Sequence, residues 1–143
     1  AGDEPVLVAY GDCLSDINIQ EMVESHRRQQ SLATMAIAHP TGRNEILALN
    51  EQGCYIGTKQ GKKQKHSWVN ACSMVLEARA FDYLKENQEN HFALSLMDCL
   101  AAHEPVQTYR HEGFWSPVET IRDKTWMENL WAQHKAPWKV WED

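Results

Sequence analysis

Long apolar runs are missing from this sequence, and so are the cysteine and histidine spacings that usually mark a metal centre. No stretch approaches the roughly 20 apolar residues that a membrane-spanning helix needs, so no membrane span is expected. The start has no basic segment followed by an apolar one, so no signal peptide is predicted. The four cysteines include no CxxC pair and the seven histidines no HExxH, which argues against a zinc site. Buried, reduced thiols in a cytoplasmic protein are the expectation.

Basic charge is also scarce. The chain has 14 Lys and Arg residues against 20 Asp and Glu residues, a formal net charge of −6. Nucleic acids and anionic membranes attract basic surfaces, so neither is an expected partner, and the run from Lys59 to Lys65 is the one local exception. With 143 residues, 43% of them hydrophobic, the chain is expected to form one domain over residues 1–143.

The order of apolar segments predicts an α/β domain with a mixed, mainly parallel sheet flanked by helices. Val6–Tyr10 is nearly all apolar, which is typical of a strand buried on both faces. An amphipathic helix follows, with Ser15 or Asp16 as its expected N-cap. Leu32–Ala38 is a second apolar strand, so the order strand, helix, strand predicts a βαβ unit.

The rest of the chain continues the alternation of strands and helices. The expected elements are a hairpin over residues 46–58, a strand over 68–76, helices over 78–85 and 92–102, and strands over 106–111 and 114–118. The second of these helices should turn Leu96, Met97 and Leu100 inward. A capping box at Thr120 and Asp123 begins a last helix that ends near residue 134. His111 and Glu112 are interpreted as surface or hairpin residues, the alternative being a proton-transfer pair.

The stretch YGDCLSD, residues 10–16, places Asp12 at the carboxyl end of the first predicted strand. Ligands of α/β sheets bind beyond the carboxyl ends of strands, and a carboxylate there can reach a divalent cation. Gly11 allows the backbone to turn sharply before it. The alternative is a purely structural turn followed by a helix cap, and the motif alone leaves both interpretations open.

Further motifs indicate a known family. In chain order they are SLATMAI, PTGR, WVNACSMVLEARAFDYL, YRHEGFWSPVETIRDK and LWAQHKAPWKVWED, of which GFW, RDK and KAPWKVW are the most specific. Together with YGDCLSD, this series resembles the C-terminal part of the glucose-1-phosphate cytidylyltransferases, within the sugar-1-phosphate nucleotidyltransferase family. The resemblance extends over nearly the whole sequence. It implies a partial nucleotidyltransferase (Rossmann-like) fold.

The resemblance also implies a chemistry and its residues. In the family, CTP and glucose 1-phosphate give CDP-glucose and pyrophosphate, with Mg²⁺ neutralising phosphate charge. One family metal ligand corresponds to Asp12, and the other, from a segment like FWSPVET, corresponds to Glu119. The resemblance therefore implies Mg²⁺ at Asp12 and Glu119. The family's sugar-phosphate motifs correspond to Lys62 and Asn70.

Several positions depart from the family pattern. No counterpart of the GxGTRL phosphate loop is found in the 143 residues, Cys13 stands where a glycine is usual, and Ala71 and Cys72 replace two more. These differences predict a truncated, inactive relative, and they weaken the expected Mg²⁺ binding. The alternatives are an oligomeric interaction module, a binding module for a sugar phosphate or nucleotide, and one half of a split enzyme.

Tryptophan is concentrated near the end of the sequence, where five of the six occur. Trp138 and Trp141 flank Pro137 in a tail too short to form its own core. Since tryptophan is favoured in interface anchors, these two residues are predicted to dock on a neighbouring chain. Exposed strand edges would favour the same outcome, so a homodimer or larger homo-oligomer is expected.

Overall fold

A computed structural model describes residues 3–40, 45–61, 66–85 and 94–143 of the chain. Its elements are β1 Val6–Ala9, β2 Cys13–Ser15, α1 Ile19–Gln29, β3 Ala33–Ala38, β4 Ile46–Leu49, β5 Tyr55–Lys59, β6 Val69–Leu76, α2 Ala80–Lys85, α3 Leu94–Ala101, β7 Val106–Arg110, β8 Trp115–Pro117 and α4 Ile121–Ala132. This order confirms the predicted α/β class. None of the described helices is long and apolar enough to cross a membrane.

Six strands form one sheet in the order β1-β6-β3-β7-β5-β4. Only β3 and β7 are parallel neighbours, while the other four neighbouring pairs of described strands are antiparallel. The mixed sheet is therefore confirmed, but the prediction of mainly parallel pairing is wrong for these strands. The reason is that β6 returns between β1 and β3, so an antiparallel strand splits the predicted βαβ unit. Apolar periodicity reveals a strand but not its direction.

Among the described strands, β1 lies at one edge of the sheet and pairs with β6 alone. Val6 and Leu7 are each 42% exposed, so the prediction of a strand buried on both faces is wrong for β1. A short apolar run does not distinguish a central strand from an edge strand. The central strand is β3, whose six residues are all buried.

Helices cover both faces of the six-stranded sheet. On one face α1 buries Met22 against a core that includes Ala36 and Ala38 of β3. On the other face α3 contributes the residues that the sequence predicted to point inward, Leu96, Met97 and Leu100. The alternation of side chains along β3 separates the two cores, because successive residues of a strand face opposite sides of the sheet.

The helix starts show how local chemistry sets the element boundaries. α1 begins at Ile19 because the Asn18 side chain accepts a hydrogen bond from the backbone N–H of Glu21. The predicted cap at Ser15 or Asp16 is therefore wrong by a few residues. The capping box predicted for α4 is confirmed: Thr120 accepts from the Asp123 N–H, and Asp123 accepts from the Thr120 N–H.

A second, two-stranded antiparallel sheet consists of β2 and β8. Its ladder is extended by a 2.7 Å hydrogen bond from the Val118 N–H to the Asp12 carbonyl. The indole N–H of Trp115, on β8, donates to the carbonyl of Ala71 on β6 at 3.1 Å. The small sheet is thus tied to the large one at the point where Asp12 follows β1.

Candidate functional site

The carboxyl ends of β1, β3 and β7 lie at the same end of the large sheet, because these three strands run in the same direction. Asp12 follows β1, His39 follows β3 and His111 follows β7. Ligands of α/β sheets bind beyond these carboxyl ends of the strands. The sequence therefore predicted the position of Asp12 within the fold correctly.

β6 contains a bulge beside Asp12. Met35 pairs with Met74 and Ile37 pairs with Asn70, so an advance of two residues along β3 corresponds to four along β6. Cys72 lies in this bulge with a φ of 63°, in the left-handed region that costs a non-glycine residue on the order of 1–3 kcal/mol. Bulges re-aim side chains next to functional sites. Here the bulge brings Cys72 to the carboxyl end of β1.

Three hydrogen bonds hold the bulge in place. The Asn70 side-chain oxygen accepts from the Cys72 N–H at 2.9 Å, and the Cys72 carbonyl accepts from the Tyr10 N–H at 3.0 Å. The third is the 3.1 Å bond from the Trp115 indole to the carbonyl of Ala71. A strained backbone persists where its surroundings fix it in this way. Asn70, predicted to bind sugar phosphate, thus has a structural contact within the bulge.

Asp12, Cys13 and Cys72 bring one ligand atom each within 4.8 Å of one another. The Cys13 Sγ lies 3.6 Å from Asp12 Oδ1. Asp12 is exposed and the two cysteines are half-buried, so solutes can reach the group. We call these three residues the thiol–carboxylate cluster. Sequence reasoning missed it, because its two cysteines are far apart in the chain and meet only through the bulge.

The two thiols of the cluster ionise differently. A hydrogen bond between the two thiols raises the pKa of Cys13 and lowers the pKa of Cys72. Burial, and the charges of Cys72 and Asp12, raise the pKa of Cys13 further. Cys72 therefore loses its proton before Cys13. The site is rich in acidic groups, and among the described residues no Lys or Arg forms an ion pair with Asp12.

Glu119 lies next to the thiol–carboxylate cluster without being a member of it. The hydrogen bond between Val118 and Asp12 holds the chain beside the cluster, and Glu119 lies two residues after the end of β8. The negative charge of Glu119 partly offsets the lowering of the Cys72 pKa by Cys13. Within the part of the chain that the structure describes, the Glu119 carboxylate is not among the grouped ligand atoms. The fold thus brings the two predicted metal ligands, Asp12 and Glu119, to the same end of one small sheet.

The donor atoms gathered at Asp12 do not fit Mg²⁺, the metal implied by the family resemblance. Mg²⁺ takes oxygen ligands in near-octahedral geometry, whereas two of the three donors here are sulfur. Thiolates select softer cations. Joint binding of Mg²⁺ by Asp12 and Glu119 stays a prediction.

The other predicted site residues are dispersed. Lys62 lies outside the described residues. The Trp138 ring packs on Phe114 of its own chain, with ring centroids 5.8 Å apart. Trp141 is 52% exposed, and its ring centroid lies 6.4 Å from that of Trp131. Of the predicted interface pair, Trp141 is therefore the residue more available to a partner.

His111 is buried, so its interpretation as a surface residue is wrong. Its Nε2 lies 2.9 Å from both Asp16 Oδ1 and the carbonyl oxygen of Phe114. A Cβ atom at Gly113 would lie 2.6 Å from Asp16 Oδ1, so glycine permits this close approach. Glu112 is exposed as predicted, and it pairs with His39 at 2.9 Å. Asp16, a predicted cap of α1, packs against His111 instead.

Comparison with known proteins agrees with the fold and with the motifs. No family model matches the chain. A glucose-1-phosphate cytidylyltransferase from Salmonella typhi is 33% identical over 141 residues, covering 98% of this chain and 54% of the relative. Another, from Salmonella typhimurium, is 31% identical over 140 residues with the same coverage. The chain thus spans about half the length of the curated relatives that it matches.

A solved structure supports the fold independently of the sequence. A crystal structure from Bacillus anthracis, assigned to the glucose-1-phosphate thymidylyltransferases and determined with sucrose, matches with a TM-score of 0.76. The match covers 99% of this chain and 58% of that protein at 15% identity. At this identity the likeness shows the fold alone, which is that of a sugar-1-phosphate nucleotidyltransferase.

Proposed function

We propose that this chain, a homologue of the glucose-1-phosphate cytidylyltransferases over nearly its whole length, is a non-catalytic relative that does not by itself transfer a cytidylyl group. Its site lies where the α/β sheet binds ligands, but the chemistry of the site has changed. The observation that supports this most directly is the thiol–carboxylate cluster at Asp12. Thiols that stay reduced also suit the cytoplasm, where we place the protein.

Nucleotidyl transfer requires two anionic substrates to come together. Magnesium and basic side chains supply the positive charge that this requires, and the loss of one stabilising donor costs about 2.7–4 kcal/mol of barrier in a well-studied hydrolase. At Asp12 the neighbouring groups are two thiols, and the nearby Glu119 adds further negative charge. Because these donors do not fit Mg²⁺, that ion would not compensate the carboxylate charge, and a triphosphate would meet repulsion at the position where transfer requires attraction.

The first prediction concerns activity. The chain, incubated with CTP, glucose 1-phosphate and Mg²⁺, should produce no CDP-glucose or pyrophosphate above a protein-free background. CDP-glucose is measured by chromatography and pyrophosphate by a coupled assay, with an intact glucose-1-phosphate cytidylyltransferase as the positive control. Pyrophosphate release that disappears in Asp12→Ala would refute the proposal, because it would show catalysis at this site.

We also propose that the chain self-associates through α4 and the tail that follows it. Of the α4 residues only Met127 is buried. α4 and the tail expose five large apolar residues, which are Ile121, Trp126, Trp131, Val140 and Trp141, and the rings of Trp131 and Trp141 lie together with centroids 6.4 Å apart. Exposed apolar patches mark interaction sites.

A second copy of the chain is the occupant that the charges of this surface favour. Lys124 pairs with Glu128 at 2.5 Å, and Lys139 pairs with Asp143 at 2.7 Å. These internal pairs balance the charge within the surface, so two copies can meet across a twofold axis without like-charge repulsion from these groups. The apolar side chains between the pairs would then be buried against their own counterparts.

The second prediction concerns this assembly. Light scattering at micromolar concentration should give at least the mass of a dimer. The double variant Trp131→Ala/Trp141→Ala should shift the protein to monomer, because it removes the two most exposed tryptophan rings of this surface. Ile56→Ala, which truncates an exposed apolar residue on β5, is the matched control and should leave the mass unchanged. A monomeric unsubstituted chain, or a double variant that stays assembled, would contradict self-association through α4.

A further inference from the structure

We propose that Asp12, Cys13 and Cys72 form a binding site for a thiophilic divalent cation, of which Zn²⁺ is the representative. Their ligand atoms all lie within 4.8 Å of one another at the carboxyl end of β1. Metal binding at this site follows from the structure of the cluster alone. It does not depend on whether the chain transfers a nucleotide.

The spacing of the donor atoms suits a tetrahedral ion. Zn²⁺ binds sulfur at about 2.3 Å and carboxylate oxygen at about 2.0–2.2 Å, which holds two such ligands about 3.6 Å apart at the tetrahedral angle. The distance between the Cys13 Sγ and Asp12 Oδ1 is 3.6 Å. This pair is therefore already at the separation that a tetrahedral cation requires, and the Cys72 Sγ lies within 4.8 Å of both atoms.

The chemistry of the cluster also matches such a cation. Two thiolates and a carboxylate are ligand types that Zn²⁺ uses, and three protein ligands leave a fourth position for water or for another group. Binding forms bonds from the metal to both sulfurs and to a carboxylate oxygen, and any thiol protons pass to solvent. No electron transfer is involved. The positive charge offsets the acidic surroundings that Asp12 and Glu119 create at Cys72.

The bulge on β6 prepares the site before a cation binds. Cys72 is fixed by hydrogen bonds through Asn70, Tyr10 and the neighbouring Ala71, while Cys13 is fixed by its place in β2. A side chain that is already held in place loses less conformational entropy when it binds a cation. The competing chemistry for two adjacent thiols is a disulfide, formed when an oxidant such as a peroxide removes two electrons and both protons. A disulfide involves only the two sulfur atoms, whereas a cation also binds the Asp12 carboxylate, so the presence of the carboxylate favours a cation.

The test uses the full chain, reduced with a phosphine and freed of metal, to which Zn²⁺ or Co²⁺ is added. One metal ion should bind per chain by elemental analysis, and Co²⁺ should give the near-ultraviolet absorption of thiolate ligation. Cys13→Ser and Cys72→Gly should each lower the affinity for Zn²⁺. The decrease should exceed the roughly 10–100-fold that follows from losing a residue that only contacts a metal ligand. Cys72→Gly suits the positive φ, so this variant keeps the fold.

Cys99→Ser, on α3 and outside the cluster, is the matched cysteine control and should bind Zn²⁺ as the unsubstituted chain does. Zn²⁺ that binds equally well to the Cys13 and Cys72 variants would overturn the proposal, and so would a reduced chain that binds no metal but forms a Cys13–Cys72 disulfide with peroxide. Excess Mg²⁺ should not displace Zn²⁺. Pyrophosphate release in the activity assay would refute the proposed function while leaving the zinc result unaffected.

Discussion

Trp115→Ala should lower the free energy of unfolding by about 3–5 kcal/mol, the range measured for truncating buried tryptophan or phenylalanine. The ring of Trp115 is buried in the core on the α1 side of the sheet, together with Ile17 and Val69. Truncation would leave a cavity between the two sheets and would remove the hydrogen bond to the Ala71 carbonyl. Urea unfolding followed by circular dichroism measures the loss.

Two further variants separate the causes. Trp115→Phe keeps most of the ring but leaves the Ala71 carbonyl unpaired, so it should cost less, about 1–3 kcal/mol. Trp131→Ala removes an exposed ring and, measured at a concentration where the chain is monomeric, should change stability by about 0.5 kcal/mol or less. Equal losses for Trp115→Ala and Trp131→Ala would show that the contact between the sheets contributes little.

The same residue links stability to the candidate site. The hydrogen bond from Trp115 is one of the three that hold the bulge, and the bulge positions Cys72. Loosening the bulge releases a residue that is held at a positive φ and allows its thiol to turn away from Cys13. Packing on β8 therefore contributes to the placement of a ligand atom on β6.

Sequence reasoning succeeded where the physical cause is local. The inward face of α3 follows from the spacing of Leu96, Met97 and Leu100, and the start of α4 follows from the capping box at Thr120. The position of Asp12 follows from the rule that a polar residue after a strand lies at the carboxyl edge of the sheet. Each of these requires information from only a few neighbouring residues.

The errors arise where the cause is tertiary. The exposure of Val6 and Leu7 depends on β1 being an edge strand, which no pattern within β1 reveals. The thiol–carboxylate cluster depends on β6 returning beside β1 and bulging there. One local sign of the bulge was present, since asparagine two residues before Cys72 can accept a hydrogen bond from its backbone N–H in a turn. That sign identifies a turn but not the residue that the turn faces.

His26→Leu should lower the free energy of unfolding by about 2–4 kcal/mol. His26 is fully buried, with Nδ1 2.8 Å from the Thr34 hydroxyl and Nε2 2.7 Å from the Glu77 carboxylate. Leucine fills much of the same volume, so the cost comes from leaving polar partners unsatisfied, at about 1–3 kcal/mol for each buried group. Thr34 is fully buried but keeps a contact with Ser31 at 3.1 Å, whereas the Glu77 side chain is 28% exposed, so water can satisfy part of what Glu77 loses.

A second histidine–glutamate pair provides the matched control. His39 lies 2.9 Å from Glu112, but their side chains are 35% and 70% exposed, so water can replace the lost partner in His39→Leu. That variant should lose about 1 kcal/mol or less. Urea unfolding of both variants compares the two pairs directly, and equal losses would contradict a specific cost at the buried site. Adding Glu77→Leu to His26→Leu should recover part of the stability, because a half-buried acceptor that has lost its donor is then absent.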